Sequence, residues 1–286
     1  MIDVEIDSTA GFCPGVIRTI GSAERFLSEH PGSILYSLGA IVHNDSELER
    51  LGAMGLVQLD YEDLDEMPSA EGKTILVRAH GQPPQTFEKL RHLGFEIIDC
   101  TCPVVLGIQQ KISQATGDVI IYGKHGHPEV LGLVGHAKCR VRVVEDQIQA
   151  YQMLENDRPS DNCEIFSQTT MSPTGYAQVC ELVKASIPGL KVHETICKQV
   201  ATRHRDLEDF ARHHDVIVFV SGKSSSNGKV LCELCRQVNI RTYHVGSVQE
   251  IQARWFRPED RVGISGATST PRWLLEEVAS HIASLQ

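Results

Sequence analysis

The sequence predicts an α/β protein with parallel sheets, built as three similar modules around one site. Short apolar runs alternate with segments of helical period, a pattern typical of parallel strands joined by helices. Three cysteines, Cys13, Cys102 and Cys197, each follow a strand-like run and precede a segment that can be helical. Clusters of polar residues follow six of the predicted strands. Since ligands of open α/β sheets bind outside the carboxyl ends of the strands, these clusters predict one shared crevice.

Strands are predicted where a short apolar or alternating run is bounded by turn residues. They cover 2–6, 33–38, 74–78, 96–99, 119–122, 140–144, 164–166, 190–193, 216–220, 242–245 and 262–264. Helices are predicted at 16–28, 84–93, 104–115, 176–185, 203–213, 228–237 and 271–284. The last helix is expected to have Thr270 as its N-cap and Pro271 at its first position. The stretch 125–129 is expected to be an extended loop.

The three modules are assigned approximate boundaries. The first covers 15–97, with the segments 1–14 and 268–286 added to it. The second covers 98–193 and the third covers 194–267.

Composition excludes two classes of function. No stretch of the 286 residues approaches the roughly 18 consecutive apolar residues of a membrane span, and the N-terminus lacks a secretion signal. We therefore expect a cytoplasmic protein with no membrane partner. The net charge of −10 argues against nucleic acid as a partner, because nucleic-acid binding needs a basic surface.

Nine cysteines in a chain without a secretion signal indicate thiol, metal or redox chemistry rather than a disulfide framework. Six of them are interpreted as small buried apolar residues, including Cys232 and Cys235 within a predicted helix. A cysteine at a helix N-terminus is suited to be a nucleophile or a metal ligand. Three such thiolates suit an iron–sulfur cluster better than a disulfide, although from spacing alone ordinary core thiols remain the alternative.

The polar residues at the strand ends are mostly hydrogen-bond donors with few lysines among them. Such a set can hold a diphosphate through many oriented donors and helix N-termini. One carboxylate, Glu129, lies within this set. Bound phosphate nearby would raise its proton affinity, as a proton donor requires. The donors are His43, His80, His127, Ser225, Ser226, Asn227 and Ser269.

The sequence resembles the 4-hydroxy-3-methylbut-2-enyl diphosphate reductases of the non-mevalonate isoprenoid pathway. The resemblance covers nearly the whole chain, and its motifs occur in the family's order. They are Gly11-Phe12-Cys13, Val42-His43-Asn44, Ala79-His80-Gly81, Thr101-Cys102-Pro103, Gly126-His127-Pro128-Glu129, Ser167-Gln168-Thr169-Thr170, Ile196-Cys197, Ser225-Ser226-Asn227 and Ser269 before Pro271.

The resemblance implies a trefoil of three α/β modules around a central [4Fe-4S] cluster held by Cys13, Cys102 and Cys197, with one iron not ligated by protein. It implies reductive dehydroxylation of a small allylic diphosphate to isopentenyl and dimethylallyl diphosphate. By position, Glu129 relays protons and Thr169 positions the substrate hydroxyl. The diphosphate ligands are His43, His80, His127, Ser225, Ser226, Asn227 and Ser269. Electrons would come from an external protein of the ferredoxin or flavodoxin type.

Several positions depart from the family pattern. Ala10 stands where a basic residue is usual, and Leu106-Gly107-Ile108-Gln109 replaces the usual Thr-Lys-x-His. After Cys197, the family's Thr-x-x-Arg-Gln keeps its arginine alone, as Arg203. These departures are compatible with a divergent member of the family and with a paralogous iron–sulfur reductase of another small molecule. A non-catalytic redox-sensing protein is a separate alternative.

Overall fold

The computed structural model describes residues 2–223 and 225–285. Its strands, labelled β1 to β12 in chain order, are Asp3–Ile6, Leu35–Leu38, Leu56–Leu59, Thr74–Val77, Glu96–Asp99, Asp118–Tyr122, Val141–Val144, Cys163–Ser167, Lys191–Val192, Val216–Val220, Thr242–Val245 and Arg261–Gly266. Its helices, labelled α1 to α11, are Pro14–Glu29, Asp45–Met54, Tyr61–Glu66, Pro84–Leu93, Pro103–Ser113, Pro128–His136, Gln147–Asn156, Pro173–Ser186, Lys198–Arg212, Ser226–Val238 and Arg272–Ser284.

The strands form three four-stranded sheets. Their orders are β1-β12-β10-β11, β3-β2-β4-β5 and β7-β6-β8-β9. The pairs β1–β12, β10–β12 and β10–β11 are parallel, as are β4–β5, β6–β7, β6–β8 and β8–β9. The predicted fold class, three α/β modules with parallel sheets, is confirmed. The residue boundaries assigned to the modules stay a prediction.

The chain divides into two compact units. The first unit is Met1–Gln58 with Thr202–Gln286, and the second unit is Leu59–Ala201.

The core of the first unit lies on both faces of β10. Side chains alternate between the two faces of a strand, so Val218 packs towards α11, where Val278 is buried. Phe219 points to the opposite face and packs with Leu207 of α9 and Leu231 of α10. Burial on both faces explains why this strand reads as a continuous apolar run.

The second unit repeats this arrangement around β6 and β8. Ile165 packs with Val179 of α8 on one face. Phe166 packs with Ile112 of α5 and Leu133 of α6 on the other face. The loops after β6 and β8 carry several predicted site residues. Both loops therefore start from a sheet that is packed on its two faces.

The predicted extended loop at 125–129 is wrong, because α6 begins at Pro128 and His127 is its N-cap. The helix was missed because it contains two glycines, which lower intrinsic helix propensity. Packing requires glycine at Gly135, whereas a Cβ at Gly132 would make an ordinary contact. A Cβ added at Gly135 would lie 2.5 Å from the Pro83 side chain, and one at Gly132 would lie 3.4 Å from Nε2 of Gln109.

Other differences concern shorter elements and one cap. The sequence patterns did not predict α2, β3, α3 or α7. The expected N-cap of the last helix is also wrong, since Pro271 is the N-cap and α11 begins at Arg272. The Thr270 hydroxyl instead donates to the carbonyl of Val220 at 2.7 Å, which fixes the loop after β12 to the end of β10.

Candidate functional site

All three predicted cysteine ligands lie at strand-to-helix turns, as the sequence predicted. Cys13 is the N-cap of α1 and Cys102 is the N-cap of α5, and each is followed by a proline in the first turn. Cys197 lies between β9 and the first residue of α9. A helix N-terminus favours a negatively charged group, so all three positions suit a thiolate.

The turns that lead to Cys13 and Cys102 share one local design. Oδ1 of Asp7 accepts from both the N–H and the hydroxyl of Thr9, at 2.8 Å each. Oδ1 of Asp99 accepts the same two bonds from Thr101, at 2.9 and 2.5 Å. Each aspartate thus fixes the chain just after its strand and just before the cysteine.

Most of the remaining cysteines are more deeply buried. Five of these six are buried and Cys139 is half-buried, whereas Cys13, Cys102 and Cys197 are half-buried. Burial raises the pKa of Cys180 to about 11 and that of Cys235 to about 12. It also raises the pKa of the Cys139, Cys163 and Cys232 thiols. These thiols are held in the protonated form, which is a poor metal ligand.

The donor chemistry fits an iron–sulfur cluster. Within residues 2–223 and 225–285, which include all nine cysteines, no disulfide bond is formed. In the same part of the chain no three His, Cys, Asp or Glu side chains are close enough to hold a single metal ion. Cluster thiolates bind different iron atoms and need not converge on one ion, so half-buried thiols on separate turns remain suitable ligands.

Glu129 and Thr169 form a buried polar pair in the second unit. The Thr169 N–H donates to Oε1 of Glu129 at 2.7 Å, and the Thr169 hydroxyl donates to Oε2 at 2.8 Å. Glu129 is 1% exposed. Burial is the dominant cause that raises its pKa to about 7, while the two bonds from Thr169 oppose the rise.

His127 and His80 lie close together beside this pair. Nδ1 of His127 accepts from the N–H of Glu129 at 3.2 Å, and the two imidazole ring centroids are 5.2 Å apart, edge to face. Gly81 continues the His80 loop with φ of +71°, a conformation that glycine adopts without strain. A Cβ there would also lie 2.5 Å from Nε2 of Gln109.

Cys197 and Thr169 are joined by a main-chain hydrogen bond, in which the Cys197 N–H donates to the Thr169 carbonyl at 2.9 Å. One residue that sequence reasoning missed, Thr195, lies beside this contact and is 4% exposed. Its hydroxyl bonds to both main-chain groups of Ser167, the last residue of β8. A threonine between two motifs carries no sequence signal of such a role.

The first unit brings together several of the predicted diphosphate ligands. The hydroxyls of Ser225 and Ser269 are 3.5 Å apart, and Nδ2 of Asn227 donates to the Thr268 hydroxyl at 3.3 Å. Ser225 is also the N-cap of α10, where its hydroxyl accepts from Gly228 N–H at 3.0 Å. Ser226 begins α10, but its side chain lies outside the part of the chain that the structure describes.

His43 is an exposed residue just before Asn44, the N-cap of α2. A Cβ added at Gly222 would lie 2.8 Å from the His43 carbonyl oxygen. The loop after β10 therefore approaches the His43 main chain closely, and this approach requires glycine.

Two residues of the motifs that depart from the family pattern have clear structural roles: the retained Arg203 and the replaced position Gln109. Arg203 is buried and donates to the carbonyls of Thr9 and Gly266, so α9 holds the segment that leads to Cys13. Gln109 is 3% exposed and packs between the Gly81 turn and Gly132 of α6.

The family model described as "LytB protein" matches residues 4–283. The chain belongs to the LytB family. A LytB relative from Porphyromonas gingivalis, named 4-hydroxy-3-methylbut-2-enyl diphosphate reductase, is 44% identical over 100% of both chains. One from Bacteroides thetaiotaomicron with the same name is 42% identical over 100% of this chain and 99% of the relative.

Solved structures of LytB-type enzymes have the same fold. The structure of (E)-4-hydroxy-3-methyl-but-2-enyl diphosphate reductase, described as the terminal enzyme of the non-mevalonate pathway, is 34% identical and covers 99% of both chains with a TM-score of 0.77. A Plasmodium falciparum reductase structure is 24% identical, with a TM-score of 0.83 over 98% of this chain and 87% of the other, and shows the fold alone. Among the described residues, no helix has the length and apolarity to cross a membrane.

Proposed function

We propose that this LytB chain is a reductase that removes the hydroxyl of 4-hydroxy-3-methylbut-2-enyl diphosphate and yields isopentenyl and dimethylallyl diphosphate. The reaction consumes two electrons and two protons, and the oxygen leaves as water. Full-length relatives at 42–44% identity that carry this enzyme's name support the proposal.

The observation that carries the proposal is the buried pair of Glu129 and Thr169. Loss of an allylic hydroxyl as water needs a proton donor whose pKa is near the working pH. A carboxyl with a pKa of about 7 meets this requirement, and its two bonds from Thr169 fix its orientation. We assign proton delivery to Glu129 and positioning of the substrate hydroxyl to Thr169.

The diphosphate ligands are proposed as the sequence predicted them. They supply neutral hydroxyl and amide donors and imidazoles, and several lie at helix N-termini, where anions are favoured. They are His43, His80, His127, Ser225, Ser226, Asn227 and Ser269.

We propose Cys13, Cys102 and Cys197 as ligands of a [4Fe-4S] cluster with one iron not ligated by protein. When bound, such a cluster supplies electrons and Lewis acidity at the departing oxygen. An external electron donor of the ferredoxin or flavodoxin type, and a place in the cytoplasm, complete the proposal. The chain's own contribution is to bind the diphosphate, orient the hydroxyl and deliver a proton.

The test is anaerobic turnover of the diphosphate by iron-loaded protein, followed through oxidation of a reduced viologen dye. Formation of both C5 diphosphates at a rate that depends on substrate is the expected result. Protein shown to contain its cluster but unable to turn over this diphosphate would refute the proposal. In that case, reduction of another hydroxylated substrate would identify a paralogue, and a response to oxidants without turnover would identify a sensor.

A further inference from the structure

We propose that Thr195 is a positioning residue that fixes Cys197 relative to Thr169. The significance of both partners rests on the proposed function, whereas the geometry that joins them does not. Every residue in the argument belongs to the second unit.

Two segments run side by side beyond the end of β9 in a constant register. The His193 N–H donates to the Ile165 carbonyl at 3.0 Å, and the Cys197 N–H donates to the Thr169 carbonyl at 2.9 Å. Midway between these bonds, Thr195 faces Ser167 at the same separation of 28 residues. Although β9 itself ends at Val192, the segment 193–197 therefore keeps a fixed register beside 165–169, up to the predicted ligand and the predicted catalytic residue.

The middle connection of this register is made by a side chain. The Ser167 N–H donates to the Thr195 hydroxyl at 2.6 Å, and that hydroxyl donates to the Ser167 carbonyl at 2.9 Å. Ser167 is fully buried and Thr195 is 4% exposed. Without the hydroxyl, an N–H and a C=O would lack this partner in a region that water does not reach, and such groups are unfavourable when unpaired.

The register reaches the proton-delivering pair through Thr169. The carbonyl of Thr169 accepts from Cys197, while its N–H and hydroxyl donate to Glu129. A shift of the 193–197 segment would therefore displace Cys197 from Thr169 while the Glu129 contacts can persist. For this reason Thr195 is expected to affect the placement of Cys197 more than the pair itself.

The test uses Thr195→Val, which keeps the shape and removes the hydroxyl, and Thr195→Ser, which keeps the hydroxyl. In the iron-free full-length chain, the alkylation rate of each cysteine by iodoacetamide is measured by mass spectrometry, with Cys102 as internal reference. We expect Thr195→Val to change the rate at Cys197 by at least about 5-fold relative to Cys102, through local opening of the segment. Thr195→Ser should match the unaltered chain.

A matched control is Thr242→Val. Thr242 begins β11 in a different sheet, and the substitution removes its buried hydroxyl, which donates to the Asn239 carbonyl. It should leave the ratio of Cys197 to Cys102 unchanged. An equal change of that ratio in both valine variants, or no change in Thr195→Val, would overturn the proposal.

Two further measurements keep the proposal testable if Thr195→Val does not fold. In the unaltered chain, the amides of Ser167 and Cys197 should show comparable protection from hydrogen exchange, and an unprotected Ser167 amide would overturn the proposal. In iron-loaded protein, Thr195→Val should alter the electron paramagnetic resonance signal of the reduced cluster and lower kcat on the order of 10–100-fold with KM little changed. Turnover failure in the unaltered protein would refute the function, whereas the alkylation result would stand.

Discussion

In the first unit, the loops after the strands present hydroxyl, amide and imidazole groups, whereas in the second unit they also present a buried carboxyl. Ser269 and Asn227 are half-buried and His43 is exposed, so these side chains can exchange water for an anion. Glu129 is 1% exposed and its pKa is raised by that burial. Under the proposed function this difference separates two tasks: diphosphate binding uses neutral donors that water can reach, and proton delivery uses a carboxyl that is buried away from water.

The largest effect is expected from a cysteine of the second unit. Cys102→Ser should abolish turnover, because serine does not replace a thiolate as an iron ligand. Iron and sulfide content after anaerobic reconstitution is the measurement. Cys100→Ser is the matched control: Cys100 is 1% exposed, and its replacement should leave the cluster intact. The reverse result would show that the wrong cysteine was assigned.

The next effect separates chemistry from binding. Glu129→Gln keeps the shape of the side chain but removes its acidic proton, so kcat should fall on the order of 100–10,000-fold while KM changes little. Steady-state kinetics with the diphosphate measures both parameters. Asp260→Asn, which alters a buried carboxylate paired with Arg241, should leave kcat unchanged. If kcat of Glu129→Gln were unchanged as well, Glu129 would have no part in proton delivery.

The burial of Glu129 also predicts a pH effect on stability. Its pKa is about 7 in the folded chain against an ordinary value of 4.5, so between these values the folded state keeps a proton that the unfolded state has lost. Stability therefore falls as the pH rises through this window and levels off above it. Relative to Glu129→Gln, the free energy of unfolding should decrease by at most about 3 kcal/mol between pH 4 and pH 8. Urea unfolding at several pH values measures it, and parallel profiles for both proteins would contradict the assigned shift.

The smallest of these effects belongs to the first unit. Ser269→Ala removes one proposed donor to the diphosphate and should raise KM about 10-fold with kcat little changed, since a hydrogen bond to a charged group contributes about 1.5–3 kcal/mol. Ser280→Ala, which removes an exposed hydroxyl from α11, is the control and should change neither parameter. A fall in kcat with KM unchanged would show that Ser269 contributes to catalysis rather than to binding.

Much of the fold could be predicted from the sequence, because strands that are buried on both faces appear as continuous apolar runs. β10 reads Val-Ile-Val-Phe-Val, and its predicted bounds equal the observed ones. The helix α6 was missed for a physical reason: Gly132 and Gly135 lower local helix propensity, and the close approach of Pro83 to Gly135 is a contact that no local pattern reveals.

The sequence likewise predicts one part of the candidate site and not another. The turns at Cys13 and Cys102 could be predicted, because a strand, a cysteine, a proline and a helix follow one another in the chain. The bonds from Thr169 to Glu129 join residues 40 positions apart, and those of Thr195 to Ser167 span 28. Such contacts are set by the register of neighbouring strands, which motif spacing does not encode.

The difference in burial among the cysteines also predicts which of them are oxidised when the protein is stored in air. Oxidation needs a reagent to reach an ionised thiol, so the deeply buried, protonated thiols such as Cys163 and Cys235 should survive storage, while the half-buried Cys13, Cys102 and Cys197 are more accessible to oxidants. If these three cysteines hold the proposed cluster, an oxidised sample would keep its folded sheets and lose its capacity to be reloaded with iron. Reductant added before iron should restore that capacity for as long as oxidation has not passed the sulfenic stage.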